Sequence, residues 1–183
     1  MAKRDILRLP VLSAGAEYVV MGHLMRRNIL AYKAPTHYEG YDLICIHPEP
    51  RHKATGNEVD KVLVQGKSRY ATDCDRGFPI KYTSIDAFHF LIVAFLNVGK
   101  FNGKNDGLSG SQEPEFFTLP SDFVREHHNS NYSWEKVLLK NLAKEIEPFK
   151  NELGFELIAE KLGIPRPTKQ RGLATESEID DEE

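Results

Sequence analysis

The chain has 183 residues, 40% of them hydrophobic and 28% charged, with a formal charge of −3, the make-up of an ordinary globular protein with room for one full core. No apolar run approaches the roughly 18 residues of a membrane-spanning helix, and residues 1–5 lead into no long hydrophobic segment, so neither membrane insertion nor export is expected and the reading is cytoplasmic. Residues 176–183 carry six acids and no base, which leaves the remainder of the chain at +3, mildly basic and compatible with a nucleic-acid partner.

Residues 13–28 read as a helix, with Ser13 placed to cap it and Met21, Leu24, Met25 and Asn28 on one side at helical spacing. Glu17 falls on that side, one turn before Met21. A carboxylate turned toward a core costs on the order of several kcal/mol unless a cation or a hydrogen-bond donor meets it; the plainer alternative is a Glu at the stripe's edge that reaches water. Residues 29–34 form a candidate strand ended by Pro35. Residues 41–46 form a second, carrying Asp42 among apolar neighbours, a residue poorly suited to a plain strand. The polar stretch 47–60, with Pro48, Pro50 and Gly56, reads as a surface connection.

In residues 61–69 the apolar run Val62-Leu63-Val64 delivers Gln65, Gly66 and Lys67 at its end, and the period of two puts Gln65 and Lys67 on the same face. A polar segment over 68–83 follows, holding Asp73 and Asp75, and then a short helical turn over 84–88. Residues 89–96 are eight apolar or aromatic positions in a row, the pattern of a strand buried on both faces, with a helix as the alternative. Residues 101–113 read as a loop, and residues 115–119 as a strand stopped by Pro120.

From Ser121 the pattern turns helical. Trp134, Val137, Leu138, Leu142, Ile146 and Phe149 recur at three- and four-residue intervals. A second helix over 152–162 would bury Leu153, Leu157 and Ile158 and end at Gly163. Cys45 and Cys74 have no zinc spacing and read as free thiols, and the seven histidines are scattered. His127-His128-Asn129 reads as a polar helix end, and no phosphate-binding glycine loop or serine elbow occurs, so a nucleotide cofactor is not expected.

The combination Gly40-Tyr41-Asp42-Leu43 followed by Val64-Gln65-Gly66-Lys67 resembles the PD-(D/E)XK nuclease superfamily, the fold of restriction enzymes and archaeal Holliday-junction resolvases. Gly15-Ala16-Glu17 is similar to that superfamily's helical glutamate. The resemblance spans residues 13–119, in order and spacing, with one departure: the second motif's usual Asp or Glu is Gln65 here, as in a subset of the superfamily that still cuts DNA.

The resemblance implies an α/β (α+β) fold with a restriction-endonuclease-like three-layer α/β/α core and a central mixed sheet of four to five strands, plus C-terminal helices. The expected division is a nuclease-like core over 1–120, a helical extension packed on it over 121–163, and a disordered acidic tail over 164–183. It further implies Mg²⁺, with Mn²⁺ as a substitute, held by Glu17, Asp42, the Gln65 amide oxygen and the Gly66 carbonyl, because a hard cation near a phosphate takes oxygen ligands. Lys67 would orient the attacking water or stabilise the charged transition state. Glu17, Asp42, Gln65 and Lys67 are therefore the expected catalytic set. The plain alternatives are an Asp42–Lys67 structural ion pair and an edge glutamine at 65. Lys3, Arg4, Arg26, Arg27, Lys33, Arg51, Lys53, Arg69, Arg76 and Lys81 are candidates for phosphate contacts, which position DNA without reading its sequence.

Two functions follow. One is a metal-dependent DNA endonuclease in repair, recombination, restriction or defence, with a homodimer among the arrangements the resemblance implies. The other is a catalytically inactive nuclease-fold module that binds DNA or a protein partner.

Overall fold

A computed structural model describes residues 9–35, 40–69, 77–98, 113–130, 135–139 and 142–167. Its first element, α1 (Leu9–Arg26), begins before Ser13, since Pro10 sits in the first turn, where its missing N–H is no loss. Ser13 is therefore an interior helical residue and not the cap. The buried stripe is Ala16, Val20 and Leu24, while Met25 is exposed. The helix ends where Asn28 adopts a left-handed conformation (φ 65°), with Ile29 N–H donating to the Leu24 carbonyl at 3.0 Å and Asn28 N–H to that of Met25 at 2.9 Å.

Three antiparallel strands follow, β1 (Leu30–Lys33), β2 (Leu43–Ile46) and β3 (Lys61–Arg69). After β3 the chain makes β4 (Phe78–Pro79) and a 3-10 turn (Tyr82–Ala87), then returns as β5 (Phe90–Phe95), parallel to β3. Strand β6 (Glu115–Pro120) lies antiparallel to β5 and completes a mixed sheet of order β1-β2-β3-β5-β6. All six residues of β5 are buried, as an uninterrupted apolar run at a sheet's centre requires. Phe90, Ile92 and Ala94 face one core, and Leu91, Val93 and Phe95 face the other.

The first core is roofed by α1 and by α3 (Asn151–Lys161), which contributes Phe155, Ile158 and Ala159. The second is closed by the 3-10 turn, by α2 (Ser121–Glu126), and by a small sheet of order β4-β8-β7 made with β7 (His128–Asn129) and β8 (Lys136–Val137). The fold is thus α+β, with a five-stranded mixed sheet between two covering layers.

The amphipathic helix expected across Trp134 to Phe149 is not formed among the described residues of that stretch. Val137, Leu142 and Ile146 are buried, as their spacing implies, but on extended and 3-10 backbone. The free edge of β4 captures residues 136–137 as a strand, and Pro148, which cannot sit in a helix interior, opens a new 3-10 turn (Glu147–Phe149). Leu153, expected in the core, is 63% exposed, whereas Ile158 is fully buried and Leu157 partly so. Gly163 does cap α3, at φ 74°, with Ile164 N–H reaching the Ala159 carbonyl at 2.9 Å. Trp134, Cys74, Asp73, Asp75 and residues 168–183 lie outside the described residues.

Arg27, read as a phosphate contact, instead ties the two roof helices together. Its Nε and Nη2 donate to Glu156, the second at 2.7 Å, and Nη2 also meets the Pro165 carbonyl at 3.3 Å. This guanidinium holds the Glu156 carboxyl below its usual range. Among the described residues no helix is long and apolar enough to cross a membrane.

α3 approaches β6 so closely that only glycine fits at residue 154: a Cβ would lie 2.2 Å from the Phe149 carbonyl oxygen and 2.8 Å from Thr118 Cβ. Gly154→Ala should cost about 2 kcal/mol or more through overpacking. Gly22→Ala, on the open side of α1 with nothing within 4 Å, should stabilise by about 0.5–1 kcal/mol, the usual gain on replacing a mid-helix glycine. Urea-denaturation midpoints of the two variants should move in opposite directions.

Candidate metal centre at the opening of β2 and β3

Strand pairing of β2 with β3 runs from Ile46↔Lys61 to Leu43↔Val64, and the two chains part beyond it. Asp42 stands at the parting. Its N–H donates to the Val64 carbonyl at 2.8 Å, and its carbonyl accepts Ala34 N–H from the end of β1 at 2.8 Å. Its carboxylate then takes the position that the next β2 carbonyl would have filled, and Oδ2 accepts Gly66 N–H at 2.7 Å. This is why an Asp interrupts an otherwise apolar run.

Gln65 Nε2 also donates to Asp42 Oδ2 and lies 3.3 Å from the Gly66 carbonyl oxygen. Asp42 is held by these two donors and not by an ion pair with Lys67. Burial pushes the Asp42 carboxyl above the ordinary aspartate range, the Gly66 N–H opposes this, the Glu17 charge adds to the rise, and Lys67 and Lys33 counter it. A Glu at 65 would have set another anion against Asp42. Glutamine supplies a donor in its place.

Glu17 approaches Gly66 from α1. A Cβ on Gly66 would sit 3.4 Å from Asp42 Oδ2 and 3.9 Å from Glu17 Cγ, so the glycine keeps open the space that both acids border. Beside it lies a small cavity of about 20 Å³ lined by Ser13, Glu17, Gly66, Lys67 and Ser68 over an apolar floor, room for one water or one ion. Lys33, the last residue of β1, places Nζ 2.8 Å from Glu17 Oε2 and 5.0 Å from the Tyr18 ring centre. The hydrogen bond to Glu17 raises the Lys33 pKa.

Gln65 and Lys67 share a face, as the strand period requires, and line an open groove of about 540 Å³ with Gly40, Pro79, Ile80, Lys81, Ser84, Phe88 and Glu135. Lys67 borders both this groove and the cavity at Glu17. The structure therefore brings Glu17, Asp42, Gln65, Gly66 and Lys67 together around one strand end.

Sequence reasoning missed Lys33 as the partner of Glu17. The pairing is set by the β1–β2 register, which pairs Lys33 with Leu43 and so places it next to Asp42, a fact of the fold that no local sequence signal carries. Arg51 and Lys53 belong to the β2–β3 connection at the other end of these strands, and Arg69 is engaged by the Gly77 carbonyl at 2.6 Å and the Phe78 ring. His127 does end α2, while His128 lies in β7 with Nε2 2.9 Å from the Ile80 carbonyl oxygen. Cys45 is buried, its thiol pushed up to about 12 by burial, and so unreactive.

The oxygen donors are of the type a hard cation takes: two carboxylates bordering a space that a methyl group would fill. Among the described residues no three His, Cys, Asp or Glu side chains converge on one point; the anionic donors here are Glu17 and Asp42 alone. The Gln65 amide turns its nitrogen to Asp42, so it must rotate to present oxygen to a metal. No family model, curated protein or solved structure matches the chain, and the resemblance to the nuclease superfamily rests on these motif residues.

Because its folded pKa lies above the unfolded value, Asp42 favours folding most in acid and loses that contribution as pH rises through its titration. Asp42→Asn, which keeps an acceptor for Gly66 N–H, should therefore raise the metal-free melting temperature by a few degrees at pH 7, and the difference should shrink toward pH 4. Gln65→Glu should do the reverse at pH 7, lowering the melting temperature by setting a second carboxylate on Asp42. Thermal melts in chelator at the two pH values check both.

Proposed function

We propose that the chain is a metal-dependent DNA endonuclease built on a restriction-endonuclease-like three-layer core, acting in the cytoplasm and hydrolysing phosphodiester bonds. The observation that carries this reading is the grouping of Asp42, Gln65, Gly66 and Lys67 where the β2–β3 pairing ends, with Glu17 bordering the same space beside Gly66. Such an arrangement joins oxygen ligands to an ammonium group, which is what phosphodiester hydrolysis needs.

A bound Mg²⁺ would be held by Asp42, Glu17 and the Gly66 carbonyl, and would lower the pKa of a water and offset charge on the phosphate. Lys67 lines the groove and borders the cavity, and in this reading its ammonium orients the nucleophile and meets the charge that grows on the phosphoryl oxygens. Gly66 N–H and the Gln65 amide fix the Asp42 carboxylate before substrate arrives. The groove on the far face of β3 is the place for the strand beside the scissile bond, with Lys67, Lys81 and Ser84 as donors to phosphate.

A second reading, a nuclease-fold module that binds DNA or a protein without cutting, is favoured by one observation: Lys33 and Gln65 already satisfy Glu17 and Asp42 without a metal.

Nicking of supercoiled plasmid separates the two. With Mg²⁺ or Mn²⁺ the wild type should nick, and Lys67→Ala should lose about 100-fold or more, the scale of removing one preorganised charge-stabilising group. Absent cutting, or cutting equal in the two proteins, refutes the enzyme reading for this strand end. Saturating metal should also stabilise the fold, by about 2.7 kcal/mol at a hundred times its dissociation constant, and the Asp42→Asn protein should show no such gain.

A further inference from the structure

Lys33 is fixed beside the two acids by backbone alone. Its strand partner is Leu43, and the next residue, Ala34, donates its N–H to the Asp42 carbonyl. From that point Nζ reaches Glu17 Oε2 at 2.8 Å and stands 5.0 Å from the centre of the Tyr18 ring. Its charge also favours the ionised form of Asp42. One ammonium thus pairs with Glu17 and, from the neighbouring strand position, adds a small favourable charge at Asp42.

The two partners differ in freedom. The Lys33 side chain is 39% exposed and Glu17 23%. Lys33 sits on the edge strand, at the end of four rotatable bonds, whereas Glu17 is held in a helix packed on the sheet. When a second cation enters, repulsion between like charges falls on the group that can move. Tyr18, itself 61% exposed, gives the ammonium an aromatic face to rest on outside the site.

We propose that Lys33 is a built-in counter-ion for Glu17: it stands in for the cation in the metal-free protein and swings out along the Tyr18 ring when a divalent ion binds. The inference rests on the metal-dependent reading above. It gives the edge strand a purpose in the site, keeping two neighbouring acids folded and apart from other cations until a divalent ion outbids a single charge. Lys33 is a positioning residue, since it acts through Glu17.

The test is calorimetric titration of the full chain with Mn²⁺ alone, without DNA, for wild type, Lys33→Met, Lys33→Arg and Asp42→Asn, together with metal-free melting temperatures. Lys33→Met should bind Mn²⁺ roughly tenfold more tightly, the scale of removing one partly screened positive charge a few ångströms from a divalent ion, and should melt lower without metal because Glu17 has lost its partner. Lys33→Arg should stay near wild type in both. A merely structural salt bridge predicts the lower melting temperature with Mn²⁺ affinity unchanged or weaker, and that result overturns the proposal while leaving the metal site standing. If the wild type binds no Mn²⁺, or binds it equally after Asp42→Asn, the metal reading fails and the counter-ion role fails with it.

Discussion

The hydrogen bond from Gly66 N–H to Asp42 Oδ2 is the constraint on which the candidate site depends. A β-ladder that stopped at Leu43 and Val64 would leave the Gly66 amide without its β2-side partner, and an orphan N–H is costly when desolvated. Asp42 answers that need with a side chain. The carboxylate thereby becomes part of the sheet's own hydrogen bonding, and its direction is set by the backbone of β3. A charged acceptor of this kind is worth about 1.5–3 kcal/mol, and burial together with the Glu17 charge draws on that stabilisation by raising the carboxyl pKa. The strand end is thus both secured and strained electrostatically, a combination often found where charge chemistry is done.

Everything around the pair can be read as a response to that strain. Gln65 gives Asp42 a second donor where a carboxylate would have repelled it. Gly66 withholds a side chain from the space between the two acids. Lys33 pairs with Glu17 from the edge strand, and Lys67, within β3, borders both the cavity and the groove. The two cores keep this assembly in register: α1 carries Glu17 at the rim of the stripe Ala16, Val20 and Leu24, and β5 anchors the centre of the sheet with all six residues buried. Far from the site, Arg27 and Glu156 lock α1 to α3, so the helix bearing Glu17 is braced at its other end.

Much of the main sheet was legible in the sequence because each of its strands is a short run whose neighbours on both sides are turn or proline signals. Strands β1, β2, β3, β5 and β6 all fall where the pattern puts them, and the candidate site residues stood out because an Asp among apolar strand residues and a Gln-Gly-Lys after an apolar run break a pattern that is otherwise hydrophobic. The segment from Val137 to Phe149 was misread because apolar residues at three- and four-residue spacing report which side chains are buried, not the backbone that buries them. A two-residue strand can bury Val137 as well as a helix can once β4 offers it an edge. Leu153 was misplaced for a related reason: the face of α3 that meets β6 is chosen by Gly154, whose missing side chain permits the contact, and Leu153 is thereby turned to solvent.

By itself the sequence determined the local chemistry: where apolar runs begin and end, that Asp42, Gln65, Gly66 and Lys67 break or follow such runs, that Gly163 stops the last helix, and that one Glu lies beside the core stripe of the first. The tertiary structure decided who meets whom. That Lys33 is the counter-ion of Glu17, that Arg27 braces α3, and that Asp42 bonds Gly66 and Gln65 are facts of register and packing. Each joins positions that are 16 to 129 residues apart. Periodicity reaches only across a few turns of chain, and pairings at longer range are set by which strand edges and helix faces the whole fold brings together.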